Sequence, residues 1–319
     1  MKRSVFILWC LIMCITLSSC TLGTPADKKY VAVIMKSSNS DFFINLKNGV
    51  DSAATEYNVT VTFEGPENEE DYLSQNQMIE QAVENGADAI LFSAIDYERS
   101  NDAVNNAVKK GVKVITIDSD ISSDMTSGFI GTDNVAAGKA AAKAAINAAG
   151  ESSAKIGLVN YTEATDNGKQ REQGFRAAIE QSSGAQIVGS VTADSNVKSA
   201  KEGALRLLSE HPEINVLVGF NEWMTLGVGE AIKSMGSTGK IYGIGFDTNM
   251  TSVSMIETGE MTALIVQNPF SMGYLGVKNA EALISGSPMP EKIIYTDVTT
   301  VDKTNLFDED VQKILFRFS

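Results

Sequence analysis

Acidic and amide side chains stand directly after several predicted strands of this chain. Asp118 follows the apolar run 112–117, with Asp120 two residues further on, and Asn221 and Asp247 follow two later runs. Ligands of open parallel sheets bind beyond the carboxyl ends of the strands. The Asp118–Asp120 pair is able to act as acid and base on a sugar. However, aspartate also forms turns with its own backbone and asparagine caps helices, so local roles are open alternatives.

Two adjacent phenylalanines follow the first polar turn of the chain. Phe43 belongs to an apolar stripe with Leu46 and Val50, at the three-and-four spacing of one helix face. Phe42 lies off that stripe and has no obvious core to face. The pair therefore predicts either ordinary buried aromatics or a ligand contact.

The elements that position these residues repeat a single unit. Residues 30–35 form an apolar run rich in β-branched side chains, 36–40 a polar turn, and 41–57 an amphipathic helix capped by Ser40 or Asp41. Further strands are predicted over 59–63, 87–92, 112–117, 129–130, 155–159, 186–191, 215–218, 240–243, 261–266, 292–295 and 298–301. Helices are predicted over 71–85, 97–110, up to 149, and over 169–180, 197–209, 223–233, 250–258 and 270–284. The packing of residues after 303 is not predicted.

Strands that alternate with helices in this way indicate an α/β fold with parallel sheets and helices on both faces. Two runs of the pattern predict two doubly wound parallel-sheet lobes. A faint internal repeat supports this, because the segment around Ser93 and Asp118 resembles the segment around Asn221 and Asp247. Two lobes that face each other across such strand ends enclose a cleft.

The N-terminal residues predict export. Lys2 and Arg3 precede an apolar run too short for a comfortable transmembrane helix, and Leu-Ser-Ser-Cys ends it at Cys20. This ending resembles a bacterial lipobox, which implies a signal peptide over 1–19, lipidation of Cys20 and a tether over 20–28. A plain secretory signal is the alternative. Cys10 and Cys14 lie in the removed segment, so no disulfide within the mature chain is expected.

Charge narrows the choice of partners. The net charge of −14 becomes −16 once the two cations of the signal segment are lost. Such an acidic surface repels nucleic acid and anionic lipid, so we expect membrane contact through the lipid anchor only. His211 is the only histidine, and no metal site or cofactor is expected.

Seven segments occur in the order and spacing of type I solute-binding proteins, over residues 29 to about 300. They are NSDFF, ITIDSD, IGTDNVAAGKAA, TDNGKQREQGF, GFNEWMTLG, GIGFDTN and IVQNP. The chain thus resembles the ribose- and galactose-binding class that serves ABC importers. The resemblance implies two lobes joined by a three-strand hinge (the periplasmic binding protein-like I fold), a monomer outside the cytoplasm, and ABC permease subunits as partners. It places one lobe at 29–132 plus 268–292 and the other at 133–267 plus 293–319.

The resemblance also implies roles for individual residues. Phe42 and Phe43 match an aromatic pair that covers a sugar ring, and Asn39 and Ser40 match the polar residues before it. Asp118 matches a carboxylate that accepts hydrogen bonds from sugar hydroxyls. The other matched positions are the second-lobe arginine Arg171, the hydroxyl partners Asn221 and Asp247, and Gln267 beside the hinge. The alternative role for Arg171 is a surface ion pair with Glu172 or Asp166, which would contribute little to stability.

Two departures from the pattern affect the ligand. The chain has Asp118-Ser119-Asp120 where ribose-type members have Asp-Arg, and the second-lobe aromatic expected near 186–191 is missing. Trp223 either replaces that stacking face or packs at the lobe surface. With Asp118, Asp120 and Asp247 against Arg171, and with Lys36 and Lys169 in solvent, the cleft favours a neutral sugar or polyol, tolerates an amine and disfavours anionic sugars.

The predicted function is therefore capture of a small polyhydroxylated ligand for an ABC permease. A receptor subunit that presents a signal molecule to a membrane sensor uses the same residues and stays an alternative. An enzyme is not expected, because no nucleophile elbow, Walker-type loop or dinucleotide fingerprint occurs in the sequence.

Overall fold

The computed structural model describes residues 28–150, 154–162 and 164–315, and it confirms the predicted α/β fold. The proposed signal peptide and Cys20 lie outside the described residues. The elements are, in chain order, β1 (Tyr30–Ile34), α1 (Asp41–Glu56), β2 (Thr60–Glu64), α2 (Tyr72–Glu84), β3 (Ala89–Phe92), α3 (Asn101–Lys109), β4 (Lys113–Ile117), β5 (Gly128–Gly131), α4 (Asn134–Ala149), β6 (Ala154–Asn160), α5 (Asp166–Glu180), β7 (Ala185–Thr192), α6 (Val197–Glu210), β8 (Val216–Gly219), α7 (Glu222–Ser234), β9 (Tyr242–Phe246), α8 (Met250–Thr258), β10 (Met261–Val266), α9 (Pro269–Ile284), β11 (Ile293–Tyr295), β12 (Thr299–Asp302) and α10 (Glu309–Leu315).

The described strands form two six-stranded sheets with the same strand order. The first has the order β11-β5-β4-β3-β1-β2 and the second the order β12-β10-β9-β8-β6-β7. Neighbouring strands are parallel except β10 and β12, which pair antiparallel. We call the first sheet with its helices the first lobe, and the second sheet with its helices the second lobe. The predicted internal repeat corresponds to β3–β4 in one lobe and β8–β9 in the other.

The pairing of β11 places the third crossing between the lobes later in the chain than predicted. The sequence places this crossing near Lys292 and assigns 293–319 to the second lobe. In the structure Ile293 pairs with Phe129 and Tyr295 with Gly131, so β11 extends the first sheet. The backbone hydrogen bonds of a parallel ladder hold these residues in the first lobe, and we therefore place the crossing after Tyr295.

Two further details differ from the sequence prediction or add to it. The third helix begins at Asn101 rather than Tyr97, because Asp96 Oδ1 accepts hydrogen bonds from the backbone of Glu98 and Arg99 and forms a turn there. The tail forms α10, which buries Val311 against the core of the second lobe. Within the described ranges, no helix is both long and apolar enough to span a bilayer.

Glycines allow close helix packing beside each sheet. A Cβ built on Gly138 of α4 would lie 2.0 Å from the carbonyl oxygen of Arg171 on α5, and one on Gly174 would lie 2.1 Å from that of Val135. The backbones of α4 and α5 are therefore in direct contact. Gly49 on α1 meets Phe270 of α9 in the same way in the first lobe. This packing fixes the helix that carries Arg171.

Candidate ligand-binding site

The aspartates at the ends of β4 and β9 have an unusual backbone. Asp118 has φ 63° and Asp247 has φ 67°, in the left-handed region that few residues other than glycine adopt. Asp118 accepts hydrogen bonds from Ser93 Oγ (2.8 Å) and Asn167 Nδ2 (3.2 Å), and Asp247 from Gln267 Nε2 (2.6 Å). Their carboxylates therefore bond distant segments rather than only their own turns. Such strained positions typically occur at functional sites.

Arg171 is buried inside the molecule, with 1% of its surface exposed. Its Nε donates to Asn134 Oδ1 and its Nη1 to the carbonyl of Phe220, both at 2.9 Å, and the guanidinium lies 4.7 Å above the ring of Phe246. Nη2 is buried and has no hydrogen-bond partner among the described residues. An unpaired buried donor is costly, which indicates that Nη2 serves a ligand oxygen.

The alternative of a surface ion pair for Arg171 is wrong. Glu172 instead pairs with Arg176, and the carboxylate of Asp166 accepts a hydrogen bond from Gln170.

The aromatic pair is both buried and directed at the site. The rings of Phe42 and Phe43 meet edge to face with centroids 5.2 Å apart, and both residues belong to the core of the first lobe. Ser40 caps α1 by accepting from the backbone N–H of Phe42 at 3.1 Å. The cap fixes the direction in which α1 leaves the turn, so it also fixes the two rings. Half-buried Trp223 contributes a further aromatic face from the second lobe.

Two amides combine a local role with a place in the site. Asn221 caps α7 through a hydrogen bond from Met224 N, so the capping alternative is right, but its Nδ2 also donates to Ser195 Oγ at 3.2 Å. Gln267 bonds Asp247 with its nitrogen and accepts from Thr132 Oγ1 at 2.8 Å. Thr132 and Gln267 lie at two crossings between the lobes, so this bond ties the site to the hinge.

These residues enclose a cavity of about 290 Å³ between the two lobes. Its lining residues are Lys36, Ser40, Phe42, Phe43, Glu69, Asp118, Tyr161, Asn167, Arg171, Asn221, Glu222, Trp223, Asp247 and Gln267. Nine of the eleven residues proposed from the sequence are among them. The first lobe supplies the phenylalanines and Asp118, and the second supplies Arg171, Asn221 and Asp247, as the sequence predicts.

Two proposed site residues point elsewhere. Asn39 is exposed and its Nδ2 donates to the backbone carbonyl of Glu67. Asp120 Oδ1 accepts from Thr116 Oγ1 (2.6 Å) and from the backbone of Ile121 (2.9 Å), which turns it away from the cavity. Asp118 and Asp120 therefore do not form the facing carboxylate pair that acid–base chemistry on a sugar requires.

The sequence prediction missed five residues of the cavity, namely Lys36, Glu69, Tyr161, Asn167 and Glu222. Tyr161 directly follows the end of β6 and Lys36 lies two residues after the end of β1, so their positions at strand ends were a usable signal. Glu222 adjoins Asn221 in the first turn of α7, whereas Glu69 lies in a loop and carries no such signal.

Lys36 corrects the predicted charge of the cleft. The Lys36 side chain is predicted to lie in solvent, but it is 4% exposed and its Nζ lies 3.2 Å from Asp118 Oδ2. Burial alone lowers the pKa of this amine, but the carboxylates of Asp118 and Glu69 outweigh burial and raise the pKa above its usual value. Lys169 is exposed, as expected. Four carboxylates and two cations therefore line the cavity.

Hydrogen bonds across the cleft hold the two lobes together. Ser40 Oγ donates to Glu222 Oε2 at 2.6 Å, and the backbone N–H of Phe42 to the same atom at 3.3 Å. In the opposite direction, the backbone N–H of Ser195 donates to Glu70 Oε1 at 2.7 Å. Each lobe thus supplies a glutamate to a backbone N–H of the other. These bonds hold the two lobes in contact across the cleft.

We expect Glu222 to make stability fall as the pH rises. Burial raises the pKa of its carboxyl to about 7, despite the hydrogen bonds from Ser40 and Asn249 that lower it. The native state therefore holds a proton that the unfolded chain releases at an ordinary pKa. The resulting stabilisation is complete below about pH 4.5 and is lost as the pH rises through 7, by about 3 kcal/mol.

Urea unfolding of wild type and Glu222→Gln at pH 5 and pH 8 measures this effect. From pH 5 to pH 8, the free energy of unfolding of wild type is expected to fall relative to that of Glu222→Gln. Glu230→Gln, a change at a half-exposed position on the same helix, should show no such relative loss. A wild-type-to-Glu222→Gln difference independent of pH would contradict the shifted pKa.

Comparison with known proteins gives consistent matches over most of the chain. The family model described as periplasmic binding protein domain matches residues 31–288. The D-allose-binding periplasmic protein of Escherichia coli K12 is 28% identical over 81% of this chain and 86% of its own length. The ribose import binding protein of Bacillus subtilis 168 is 27% identical over 92% and 97%. The crystal structure of an ABC transporter solute-binding protein from Agrobacterium vitis with bound D-fucose is 34% identical, covers 90% of this chain and 100% of its own, and has a TM-score of 0.86.

Proposed function

The chain belongs to the periplasmic binding protein family, and we propose that it captures a sugar of monosaccharide size by closure of its two lobes and delivers it to an ABC permease. The observation that carries this proposal is the cavity between the lobes, in which Arg171 Nη2 has no hydrogen-bond partner among the residues that the structure describes. Hydroxyl groups suit such a site because each one is able to accept a hydrogen bond from the guanidinium and donate one to a carboxylate.

The matched relatives also support a small ligand. The relatives named above are described as binding D-allose, ribose or D-fucose, each a single sugar ring. Phe42 and Trp223 face the cavity from opposite lobes and offer apolar surfaces to the carbon face of a sugar.

The charge of the cavity argues against anionic ligands. Buried Lys36 is already paired with Asp118, which leaves Arg171 against Glu69, Glu222 and Asp247. A uronate or a sugar phosphate would add a further negative charge to a buried site with an excess of carboxylates. We therefore keep the expectation that no anionic sugar binds more tightly than its uncharged counterpart.

A thermal-shift panel tests the proposal. Pentoses, hexoses, polyols and amino sugars are compared with disaccharides, and glucose is paired with glucuronate and with glucose 6-phosphate. A ligand at a hundredfold its Kd stabilises by about 2.7 kcal/mol. For a protein of this size that raises Tm by roughly 5–11 °C. The absence of a shift with any monosaccharide or polyol, or a larger shift with glucuronate than with glucose, would contradict the proposal.

The family is extracytoplasmic, and we propose that this chain is held at the membrane by a lipid on Cys20. The support is the charged start, the short apolar run and the Leu-Ser-Ser-Cys ending of residues 1–20. Intact-mass measurement of protein extracted from membranes tests this. A mature N-terminus at another residue, without an acyl mass, would refute it.

A further inference from the structure

Most charges in the cavity have a compensating group of their own within the protein. Lys36 and Asp118 form an ion pair at 3.2 Å, and Asp118 also accepts from Ser93 and Asn167. Both oxygens of Asp118 are therefore occupied, and the pair is neutral. Although Asp118 lines the cavity, it has little capacity left for the charge of a ligand.

The carboxylate of Glu222 is also occupied. Oε2 accepts from Ser40 Oγ and from the backbone N–H of Phe42, at the N-terminus of α1, while Oε1 accepts from Asn249 Nδ2 at 2.8 Å. Glu222 thus serves lobe closure rather than ligand charge.

Asp247 and Arg171 interact electrostatically within the second lobe. Gln267 occupies Oδ1 of Asp247, and no described residue donates to Oδ2. Burial raises the pKa of Asp247, and the guanidinium of Arg171 lowers it. One uncharged hydroxyl of a ligand is able to accept from Arg171 and donate to Asp247, which satisfies both groups without adding charge.

Glu69 forms no ion pair of its own. It lines the cavity, is 5% exposed, and takes one hydrogen bond, from Ser195 Oγ to Oε2 at 3.1 Å. Within the described part of the chain, no lysine, arginine or histidine forms an ion pair with it; Lys36 acts on it electrostatically but is paired with Asp118. Burial raises the pKa of Glu69 despite Lys36, so the charged carboxylate is only partly compensated and a further cation beside it would stabilise it.

We propose that Glu69 determines specificity by pairing with an ammonium group of the ligand, so that the ligand is an amino sugar or an amine-bearing polyol of monosaccharide size. The inference rests on the proposed function, because it concerns the same cavity. It changes the expectation drawn from the sequence, in which a neutral sugar is favoured and an amine tolerated. The reason is the charge of the cavity lining. Asp120 does not belong to the lining, Lys36 neutralises Asp118, and Glu69 is a further carboxylate that the sequence does not predict.

Calorimetry with matched ligands tests the inference on the whole mature chain. Glucose is compared with glucosamine and N-acetylglucosamine, and galactose with galactosamine and N-acetylgalactosamine, at pH 6.5 and low ionic strength. The amine is expected to bind at least tenfold more tightly than its parent sugar in at least one series. The N-acetyl compound, which has the same nitrogen without its charge, should not share this advantage.

Two variants assign the effect to Glu69. In Glu69→Gln the preference for the amine should fall below about threefold, whereas Glu67→Gln, an exposed position two residues earlier in the same loop, should retain it. Because glutamine has the shape of glutamate, we expect Glu69→Gln to fold, with a Tm without ligand no lower than that of wild type. The Tm is measured in parallel.

The outcomes separate the two proposals. Neutral sugars that bind as tightly as their amines, or more tightly, overturn the role of Glu69 and leave sugar capture standing. An amine preference that survives in folded Glu69→Gln overturns the assignment to this residue. Failure of every neutral and amine member of the panel to bind overturns both proposals.

Discussion

Replacing Arg171 by alanine is expected to weaken sugar binding by roughly 30- to 5,000-fold, because truncating one partner of a buried, hydrogen-bonded charge costs about 2–5 kcal/mol. The guanidinium presents Nη2 to the cavity and is fixed by Asn134 and the carbonyl of Phe220. Without it, Asp247 also loses the positive charge that lowers its pKa. The cavity then lacks both the hydrogen-bond donor for the ligand and the positive charge that balances Asp247.

The measurement is the Kd of the sugar with the largest thermal shift, by calorimetry, together with Tm in its absence. Arg176→Ala is the matched control, since Arg176 lies on the same helix and pairs with Glu172 at the surface. Arg171→Lys keeps the charge without the planar fork and should give an intermediate Kd. A folded Arg171→Ala protein with a Kd within threefold of wild type would show that the site is misassigned.

Replacing Gly138 by alanine should destabilise the second lobe by about 3 kcal/mol, at the upper end of the usual cost of overpacking. The added Cβ would lie 2.0 Å from the carbonyl oxygen of Arg171, and that atom belongs to a helix backbone, which cannot move aside alone. α4 and α5 must separate instead. The better helix propensity of alanine, about 1 kcal/mol, offsets part of the cost at most. Arg171 moves with α5, so the affinity for sugar should fall as well.

Thermal unfolding and calorimetry of the same variant measure both effects. A loss of this size corresponds to roughly 6–12 °C in Tm. Gly203→Ala is the control, because Gly203 lies within α6 of the same lobe and its nearest atoms are side-chain methyl groups of Val191, at 3.2 and 3.5 Å, rather than a helix backbone at 2.0 Å. Gly203→Ala should stay within about 1 kcal/mol of wild type. A Gly138→Ala protein as stable as Gly203→Ala would contradict the account of helix contact.

The fold of the two lobes is largely predictable from the sequence, whereas the site is predictable only in part. Alternation of apolar strands with amphipathic helices is a local property, and it predicts parallel sheets that the structure confirms. Strand β11 is the exception. Three residues carry too little pattern to select a sheet, and their partner in β5 lies more than 160 residues earlier, in the first lobe.

Part of the site follows from the same local information. The carboxyl ends of parallel strands meet at one edge of each sheet, so strand prediction alone places Asn221 and Asp247 together and Asp118 at the matching edge of the other sheet. The glycines at 138 and 174 are visible in the sequence. The close contact between α4 and α5, which requires glycine at these positions, cannot be predicted from it.

The fold class, the order of the elements and the strand ends at which polar residues gather follow from the sequence, because each depends on hydrophobic periodicity within a few residues. The charges that face the ligand depend instead on contacts between distant segments. Lys36 is buried because Asp118, from another strand of the same sheet, compensates its charge. Glu69 and Glu222 enter the cavity because Ser195 and the N-terminus of α1 approach from the opposite lobe. Whether a charge is buried depends on such distant partners, since the cost of desolvation is met only where the fold brings a compensating group within hydrogen-bond reach.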